Sequence, residues 1–142
     1  MLTDFFVATL AEAEALDITK SPAVSLRCLR ASRTDPVKIV QLQCCIDGAS
    51  FQERMPLLDA MLVRQAGEEG PWVFRLPEVL ETRLASASKE DIERFGKAWA
   101  ATEEWRRDGG TPQTIIPFLG AIAQFAADAR AQERSVYVWM SL

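Results

Sequence analysis

The hydrophobic and polar positions in the first third of the chain predict two strands and one short helix. Residues 5–8 are an apolar run typical of an edge strand. Thr9 and Glu12 then have the spacing of a capping box, which favours a helix directly after the strand. Pro22 ends any continuation of this helix, because a proline disfavours helical backbone in the residue before it. Apolar and polar positions alternate from 23 to 31 and predict the second strand.

The middle of the chain predicts a capped helix followed by a β-hairpin. Asp35 is a suitable N-cap and Gly48 a suitable C-terminal cap for a helix whose apolar residues recur at helical spacing. We expect a short helix around 57–60. Residues 61–65 and 72–76 are strand candidates on either side of a glycine-containing loop, which is typical of a hairpin.

Helices and a final strand are predicted in the last part of the chain. After a first helix, Ser88 is the N-cap of a longer one that we expect to run to Asp108. We expect the last helix to begin near Thr114, because its first turn then contains Pro117 and tolerates the missing N–H. Residues 135–142 alternate between aliphatic and aromatic side chains, which predicts a terminal strand paired inside the sheet.

The order of these elements predicts the fold class. Strands and helices follow one another as β-α-β-α-β-β-α-α-α-β, and the 142 residues suit one domain spanning 1–142. We therefore expect an α+β fold with a small mixed or mostly antiparallel sheet of about four or five strands, with helices packed on it.

The composition excludes several classes of chemistry, because the chain has no histidine. Catalytic triads, histidine general bases and most zinc or iron sites need this residue. The glycine-rich motifs that bind nucleotide phosphates and the spacing of a calcium loop are also absent. We therefore expect no metal and no cofactor.

Charge and hydropathy bear on partners and location. The net charge of −4 disfavours nucleic-acid binding, which needs clustered cations. No apolar run approaches the roughly 20 residues of a membrane span, and the N-terminus lacks a signal-peptide pattern, so we expect a cytoplasmic protein. Cys28, Cys44 and Cys45 form no C-x-x-C motif, and we interpret them as free thiols that pack like small apolar side chains; a reactive thiol is the alternative.

Two regions are candidates for contact with a protein partner. An acidic hairpin tip lies between two glycines, and paired glutamates lie near two tryptophans in the long helix. Trp105 lies off the apolar stripe among charged residues, a pattern typical of a partly exposed binding anchor; burial in the core is the alternative. The paired glutamates alternatively form a solvated helix end. The candidate partner-binding residues are Glu68, Glu69, Trp99, Glu103, Glu104 and Trp105.

A basic segment is the third candidate site. Arg27, Arg30 and Arg33 lie on the second predicted strand and its following loop, and Lys38 follows them in the next helix. Arginines in such positions can hold a phosphate or a carboxylate. The alternative interpretation is a solvated face whose charges keep the protein soluble.

Three stretches carry a resemblance to other proteins: PWVFRLPEVLETRLA at 71–85, KAWAATEEW at 97–105 and SVYVWMSL at 135–142. Together they resemble a group of small uncharacterised bacterial proteins with W-V-x-R-L-P and W-A-x-T-E-E motifs and a C-terminal strand. The resemblance covers roughly the second half of the chain. It implies a shared fold and a bacterial source but no reaction. The residues that match are Trp99, Thr102, Glu103 and Glu104.

The sequence supports three hypotheses about function. The first is a non-enzymatic bacterial binding protein, most concretely an immunity protein or inhibitor that neutralises a toxin or effector by protein–protein contact. Acidic inhibitors of this kind are steered to basic targets by complementary charge. The second is a small histidine-free enzyme that uses carboxylates and arginines. The third is an oligomeric adaptor or structural subunit, such as a homodimer, that associates through its C-terminal strand or Trp105.

Overall fold

A five-stranded antiparallel sheet with helices packed on it forms the fold, which confirms the predicted α+β class. The computed structural model describes residues 1–142. The strand order is β2-β1-β5-β4-β3. The strands are β1 (Leu2–Ala8), β2 (Leu29–Ser32), β3 (Leu62–Gln65), β4 (Trp72–Arg75) and β5 (Ser135–Ser141).

The two ends of the chain form the middle of the sheet. The terminal strand β5 pairs with both β1 and β4, as its alternation predicted. Val138 packs in the larger core, whereas its neighbours Tyr137 and Trp139 pack in a smaller core on the opposite face. The prediction of an edge strand at 5–8 was wrong: β1 lies between β2 and β5, because both of its faces are apolar.

Eight α-helices complete the fold, and the predicted caps are confirmed at the starts of α1, α2 and α6 and at the end of α2. Thr9 and Glu12 form the capping box, Asp35 accepts the N–H of Lys38, and Gly48 ends its helix with a φ of 75°. The helices are α1 (Leu10–Ala15), α2 (Pro36–Asp47), α3 (Phe51–Arg54), α4 (Leu57–Met61), α5 (Glu78–Ala85), α6 (Lys89–Ala100), α7 (Glu103–Arg107) and α8 (Pro112–Ala131).

The predicted strand over 23–31 is largely wrong, since only β2 is extended. Pro22–Val24 is instead a 3₁₀ helix, with Ser21 Oγ accepting the Ala23 N–H and donating to Asp4 Oδ2 of β1. These bonds hold the segment against the second face of the sheet, where Leu26 and Cys28 pack on the smaller core. The alternation of apolar and polar residues therefore reflects a loop that packs its apolar side on the sheet, rather than a strand that pairs within the sheet.

The single long helix expected from Ser88 to Asp108 is also a wrong prediction. It is broken into α6 and α7 at Thr102, whose backbone is extended at ψ 150°. The Thr102 hydroxyl donates to the carbonyl of Trp99 at 2.7 Å, so it bonds to a backbone carbonyl in the last turn of α6. This break changes the direction of the chain and turns Trp105 inward.

The last helix begins at Pro112 rather than near Thr114, so Pro117 lies inside it. Thr111 and Thr114 form a reciprocal cap that fixes the earlier start. Pro117 has no N–H, so the carbonyl of Gln113 lacks its usual hydrogen bond within the helix. Gln113 and Pro117 both lie on the exposed side of α8, where water can donate to this carbonyl instead.

Two helical glycines are expected to respond in opposite directions to alanine. A Cβ at Gly96 would lie 2.8 Å from Ile116 Cγ1 and 3.0 Å from Ile116 Cα, so α6 and α8 would be pushed apart. A Cβ at Gly120 would meet only Ile92 Cγ2, at 3.9 Å. We expect Gly96→Ala to lower the free energy of unfolding by about 1–2 kcal/mol and Gly120→Ala to raise it by about 0.5–1 kcal/mol. Urea denaturation measures both, and a stabilised Gly96→Ala would contradict the tight packing of α6 on α8.

Candidate binding site

A cleft of about 270 Å³ lies at the end of the sheet, where β4 leads into α5 and α4 leads into β3. Its walls are mostly apolar, with one amide, one guanidinium and one carboxylate side chain among them. The apolar residues are Leu57, Ala60, Met61, Leu76, Pro77 and Val79, and the polar ones are Gln43, Arg75 and Glu78.

The local sequence explains why the chain opens at this point. Leu76 still donates its N–H to the carbonyl of Val136, at 2.9 Å, but Pro77 has no N–H and ends the pairing of β4. Pro77 is then the N-cap of α5, whose first turn projects from the sheet and leaves Val79 61% exposed. The turn from strand to helix therefore forms one wall of the cleft.

Gln43 brings a buried polar group to the cleft from α2. The residue is only 5% exposed, and its Oε1 atom has no hydrogen-bond partner. Burial raises the pKa of Asp47, but hydrogen bonds from the Ala49 backbone and the Arg54 and Gln43 side chains hold it below its ordinary value. Since a carboxylate accepts, Gln43 donates through its amide nitrogen and its Oε1 stays unpaired.

Arg75 provides a second polar group, at the end of β4. Its Nη2 donates to Ser135 Oγ at 2.9 Å, whereas its Nε is buried and has no partner. An unpaired buried donor costs about 1–3 kcal/mol. Two residues that line the cleft, Gln43 and Arg75, therefore carry one buried unpaired acceptor and one buried unpaired donor.

A second, charged hollow of about 300 Å³ adjoins the cleft on the other side of Arg75. Glu81 lies in its wall and accepts the backbone N–H of Val136 at 3.0 Å. Burial raises the pKa of Glu81, while that hydrogen bond and the charge of Arg75 act in the opposite direction. The hollow also contains Arg130, Glu133 and Arg134, so charges of both signs line it.

The surroundings of the cleft are apolar and acidic. Met55 and Leu62, next to the helices and strand that form it, are among the few large apolar side chains that are exposed, as is Val79. Residues 47–81 contain seven acidic and three basic side chains, so this segment carries −4 while the rest of the chain is balanced. The whole net charge of the protein therefore belongs to the segment that forms most of the cleft.

The acidic hairpin tip does not belong to this cleft. Glu68 and Glu69 are exposed in the turn between β3 and β4, where Gly70 has a φ of 84°. The cleft is at the other end of these four-residue strands, roughly 13 Å away. The tip is thus a separate acidic surface.

The interpretation of Trp105 as a partly exposed anchor is wrong, and the alternative, burial in the core, is confirmed; Trp99, the other candidate tryptophan, is buried as well. Trp105 is 6% exposed and Trp99 is fully buried, and their rings meet edge to face with centroids 5.4 Å apart. Phe118 stacks on Trp99 at 6.0 Å. The helix break at Thr102 is the physical reason, because it redirects Trp105 toward the core.

The paired glutamates and the basic residues do not converge either. Glu103 is exposed and pairs with Arg107, whereas Glu104 accepts from Gln41 of α2, which lowers its pKa. Each basic residue has a separate partner: Arg27 pairs with Asp128, Arg30 with the buried Asp4, and Arg33 donates to the Asp108 carbonyl. Lys38, taken as part of a basic surface, is instead buried and pairs with Asp108.

The cysteines and acidic residues form no further site. Cys28, Cys44 and Cys45 are free and half-buried, and burial raises the pKa of all three, that of Cys28 to about 11. Thiols in this state are poor nucleophiles at neutral pH. No group of three or more cysteine, aspartate or glutamate side chains is arranged to hold a metal ion. None of the helices combines the length and the apolar character needed to span a membrane.

Gln43 and Arg75 were not among the residues singled out from the sequence. Arg75 did leave a signal, since it is a charged residue inside the apolar run W-V-F-R-L-P that ends at a proline. Gln43 left a weaker one, as a polar residue between the apolar Leu42 and Cys44 in a helix. Gln43 and Arg75 are 32 positions apart in the chain, so the sequence does not show that they line the same cleft. No family model, no curated protein and no solved structure matches the chain.

Proposed function

We propose that this protein is a non-enzymatic binding protein that recognises a protein partner through the cleft between α4, β4 and α5. Its most concrete form is an immunity protein or inhibitor that neutralises a toxin or effector by direct contact. The observation that carries the proposal is the pair of unpaired buried polar atoms, Gln43 Oε1 and Arg75 Nε, on two residues that line a mostly apolar cleft with an exposed apolar rim.

The size and charge of this region support a protein partner. At about 270 Å³ the cleft lies just below the range of pockets that enclose whole small molecules, but it can receive a side chain from a partner. Exposed apolar side chains around such a cleft are typical of interaction surfaces. The −4 charge of residues 47–81 attracts a partner with a basic surface and speeds their encounter.

Two exposed valines provide a matched test of this proposal. Val79 lines the cleft and Val24 lies on the 3₁₀ helix, and both are more than half exposed, so aspartate at either site leaves the core intact. We expect Val79→Asp to weaken partner binding at least about tenfold, because it buries an unpaired charge at the interface. We expect Val24→Asp to bind as the unmodified protein does.

The measurement is co-purification of the tagged protein with the co-expressed product of its neighbouring gene, followed by titration of the two purified proteins. A partner retained equally by both variants would exclude the cleft as its site. A protein that stays alone and monomeric in all three forms would contradict the proposed function. Weaker association at higher salt is a further expected result, since the attraction is between opposite charges.

A histidine-free enzyme is the second candidate function, and Glu81 is the observation that favours it. This carboxylate lies half-buried beside Arg75, and its raised pKa is a property of many catalytic acids. Glu81 also accepts the Val136 N–H and so joins α5 to β5, which explains its burial without catalysis. The paired glutamates and the arginines singled out from the sequence do not support this function, because Glu103, Glu104, Arg27 and Arg30 each have a separate partner and form no common cleft.

A further inference from the structure

The two unpaired atoms of the cleft indicate what kind of group it receives, a step that rests on the proposed function. Gln43 Oε1 can only accept a hydrogen bond, and Arg75 Nε can only donate one. A peptide group offers the complementary pair, one N–H and one C=O. We propose that the cleft binds a segment of the partner protein through one aliphatic side chain and its adjoining peptide group, with the N–H on Gln43 and the C=O on Arg75.

The walls and volume of the cleft suit an aliphatic side chain. Leu57, Met61 and Val79 provide apolar surface on α4 and α5. Burying such a side chain is favourable, and the costs of association reduce the net gain. The volume of about 270 Å³ is small for a whole metabolite but accommodates a single side chain together with its backbone group.

The charges around the cleft favour a neutral peptide group over a free carboxylate. Glu78 lines the cleft, and Glu81 lies on the other side of Arg75. Two carboxylates therefore already lie near the positive charge of this guanidinium. The excess negative charge of residues 47–81 also repels an anion. A neutral carbonyl can accept from Arg75 without that repulsion, and a basic surface around the segment adds attraction.

The two polar side chains adapt slightly when the segment binds. Gln43 and Arg75 line the cleft, but their unpaired atoms are buried in the free protein, so both side chains have to rotate before a ligand reaches these atoms. The last torsion of a glutamine side chain has a broad minimum, and side-chain rotations at interfaces are common even where the backbone stays still. Since an unpaired buried group is costly, pairing it with the ligand is a driving force for binding.

The experiment uses N-acetyl-leucine methylamide, which has an aliphatic side chain flanked by two neutral peptide groups. It is titrated into the ¹⁵N-labelled full chain and compared with N-acetyl-leucine, whose carboxylate replaces one of those groups. We expect saturable NMR shifts at the backbone amides of Met61, Leu76 and Val79 and at Arg75 Nε–H, with a Kd on the order of 1 mM for a ligand of this size. We expect the carboxylate probe to bind more weakly.

Gln43→Met is the variant that distinguishes recognition from a structural role. Methionine has a similar shape and no unpaired acceptor, and removing that acceptor offsets the lost hydrogen bond from the amide to Asp47, so the variant is expected to be about as stable as the unmodified protein. Its affinity for the methylamide probe is expected to fall about fivefold, because one hydrogen bond is lost. A glutamine that merely supported the fold would show the reverse, with lower stability and unchanged probe affinity.

Three results would overturn this inference: no saturable shifts at the cleft, tighter binding of the carboxylate probe, or unchanged affinity in Gln43→Met. They are separate from the test of the proposed function. If a partner is captured through Val79 but the methylamide does not bind, the peptide-group inference fails and the binding function stands. If the methylamide binds but no partner depends on Val79, the proposed function fails and the inference that rests on it fails too.

Discussion

Replacement of Trp99 by alanine is expected to lower the free energy of unfolding by about 4 kcal/mol, the largest effect of any single substitution considered for this protein. Trp99 is fully buried, stacks on Phe118 of α8 and meets Trp105 of α7 edge to face. Its Nε1–H donates to the carbonyl of Lys38 in α2 at 2.8 Å. One side chain of α6 thus contacts three other helices.

Trp72→Ala is the matched control for this prediction. Trp72 is only partly buried and packs at the edge of the same core, so its loss is expected to cost about 1–2 kcal/mol. Urea denaturation measures both variants, and a lower midpoint with an unchanged slope identifies a change in stability rather than in the unfolded state. If Trp99→Ala is no less stable than Trp72→Ala, the aromatic cluster is not what holds α2, α6, α7 and α8 together.

The chain contains enough local information to predict several helix ends. The capping box at Thr9, the cap at Asp35 and the left-handed Gly48 each depend on side chains within a few residues, so the pattern and the structure agree. The terminal strand was predictable for a related reason. Its alternating aliphatic and aromatic side chains fit a strand with an apolar core on each face, as β5 has.

The incorrect predictions share a cause, which is that contacts distant in sequence overrode a local pattern. Residues 23–28 alternate like a strand, but Ser21 bonds to Asp4 and holds them as a covering segment. The amphipathic pattern through Thr102 continues like one helix, but the core takes up Trp105 only if the helix breaks. Tertiary packing decides such cases, and a single sequence does not display it.

The candidate binding site was less predictable than the fold. Its polar groups come from α2 and from the end of β4, and only strand order and helix packing bring them together. The residues that drew attention in the sequence were conspicuous by type, such as paired glutamates and extra tryptophans. Gln43 and Arg75 are ordinary residue types, and what distinguishes them is burial without a partner, a property visible only in three dimensions.

Lys38 shows the same difference between residue type and environment. As a cation after three arginines it was interpreted as part of a solvated or anion-binding surface, yet it is 2% exposed. Its ammonium donates to the Arg33 carbonyl and to Asp108 and lies over the ring of Trp105, 4.2 Å from the centroid. The hydrogen bond from Lys38 lowers the pKa of Asp108. The four-carbon stem of Lys38 meanwhile fills space in the packed interior.

Lys38→Ala is therefore expected to lower the free energy of unfolding by about 3 kcal/mol, through the lost stem packing and the lost hydrogen bonds together. Lys38→Met keeps most of the stem and should lose about half as much, which separates the two causes. Equal losses in the two variants would mean that packing of the stem contributes nothing.

The pH dependence of the same variants gives an independent check. A carboxyl whose pKa is lower in the folded state than in the unfolded state stabilises the fold above its unfolded value, and this stabilisation is lost as the pH falls through the folded value. The ordinary pKa of Asp108 is 3.8, and Lys38 lowers it in the fold. The difference in the free energy of unfolding between the unmodified protein and Lys38→Met should therefore be constant from neutral pH to about pH 5. This difference should become smaller as the pH falls below 3.8. A difference that stays constant to pH 2 would show that the ammonium acts on the Arg33 carbonyl and Trp105 alone, with Asp108 contributing nothing to the stability of the fold.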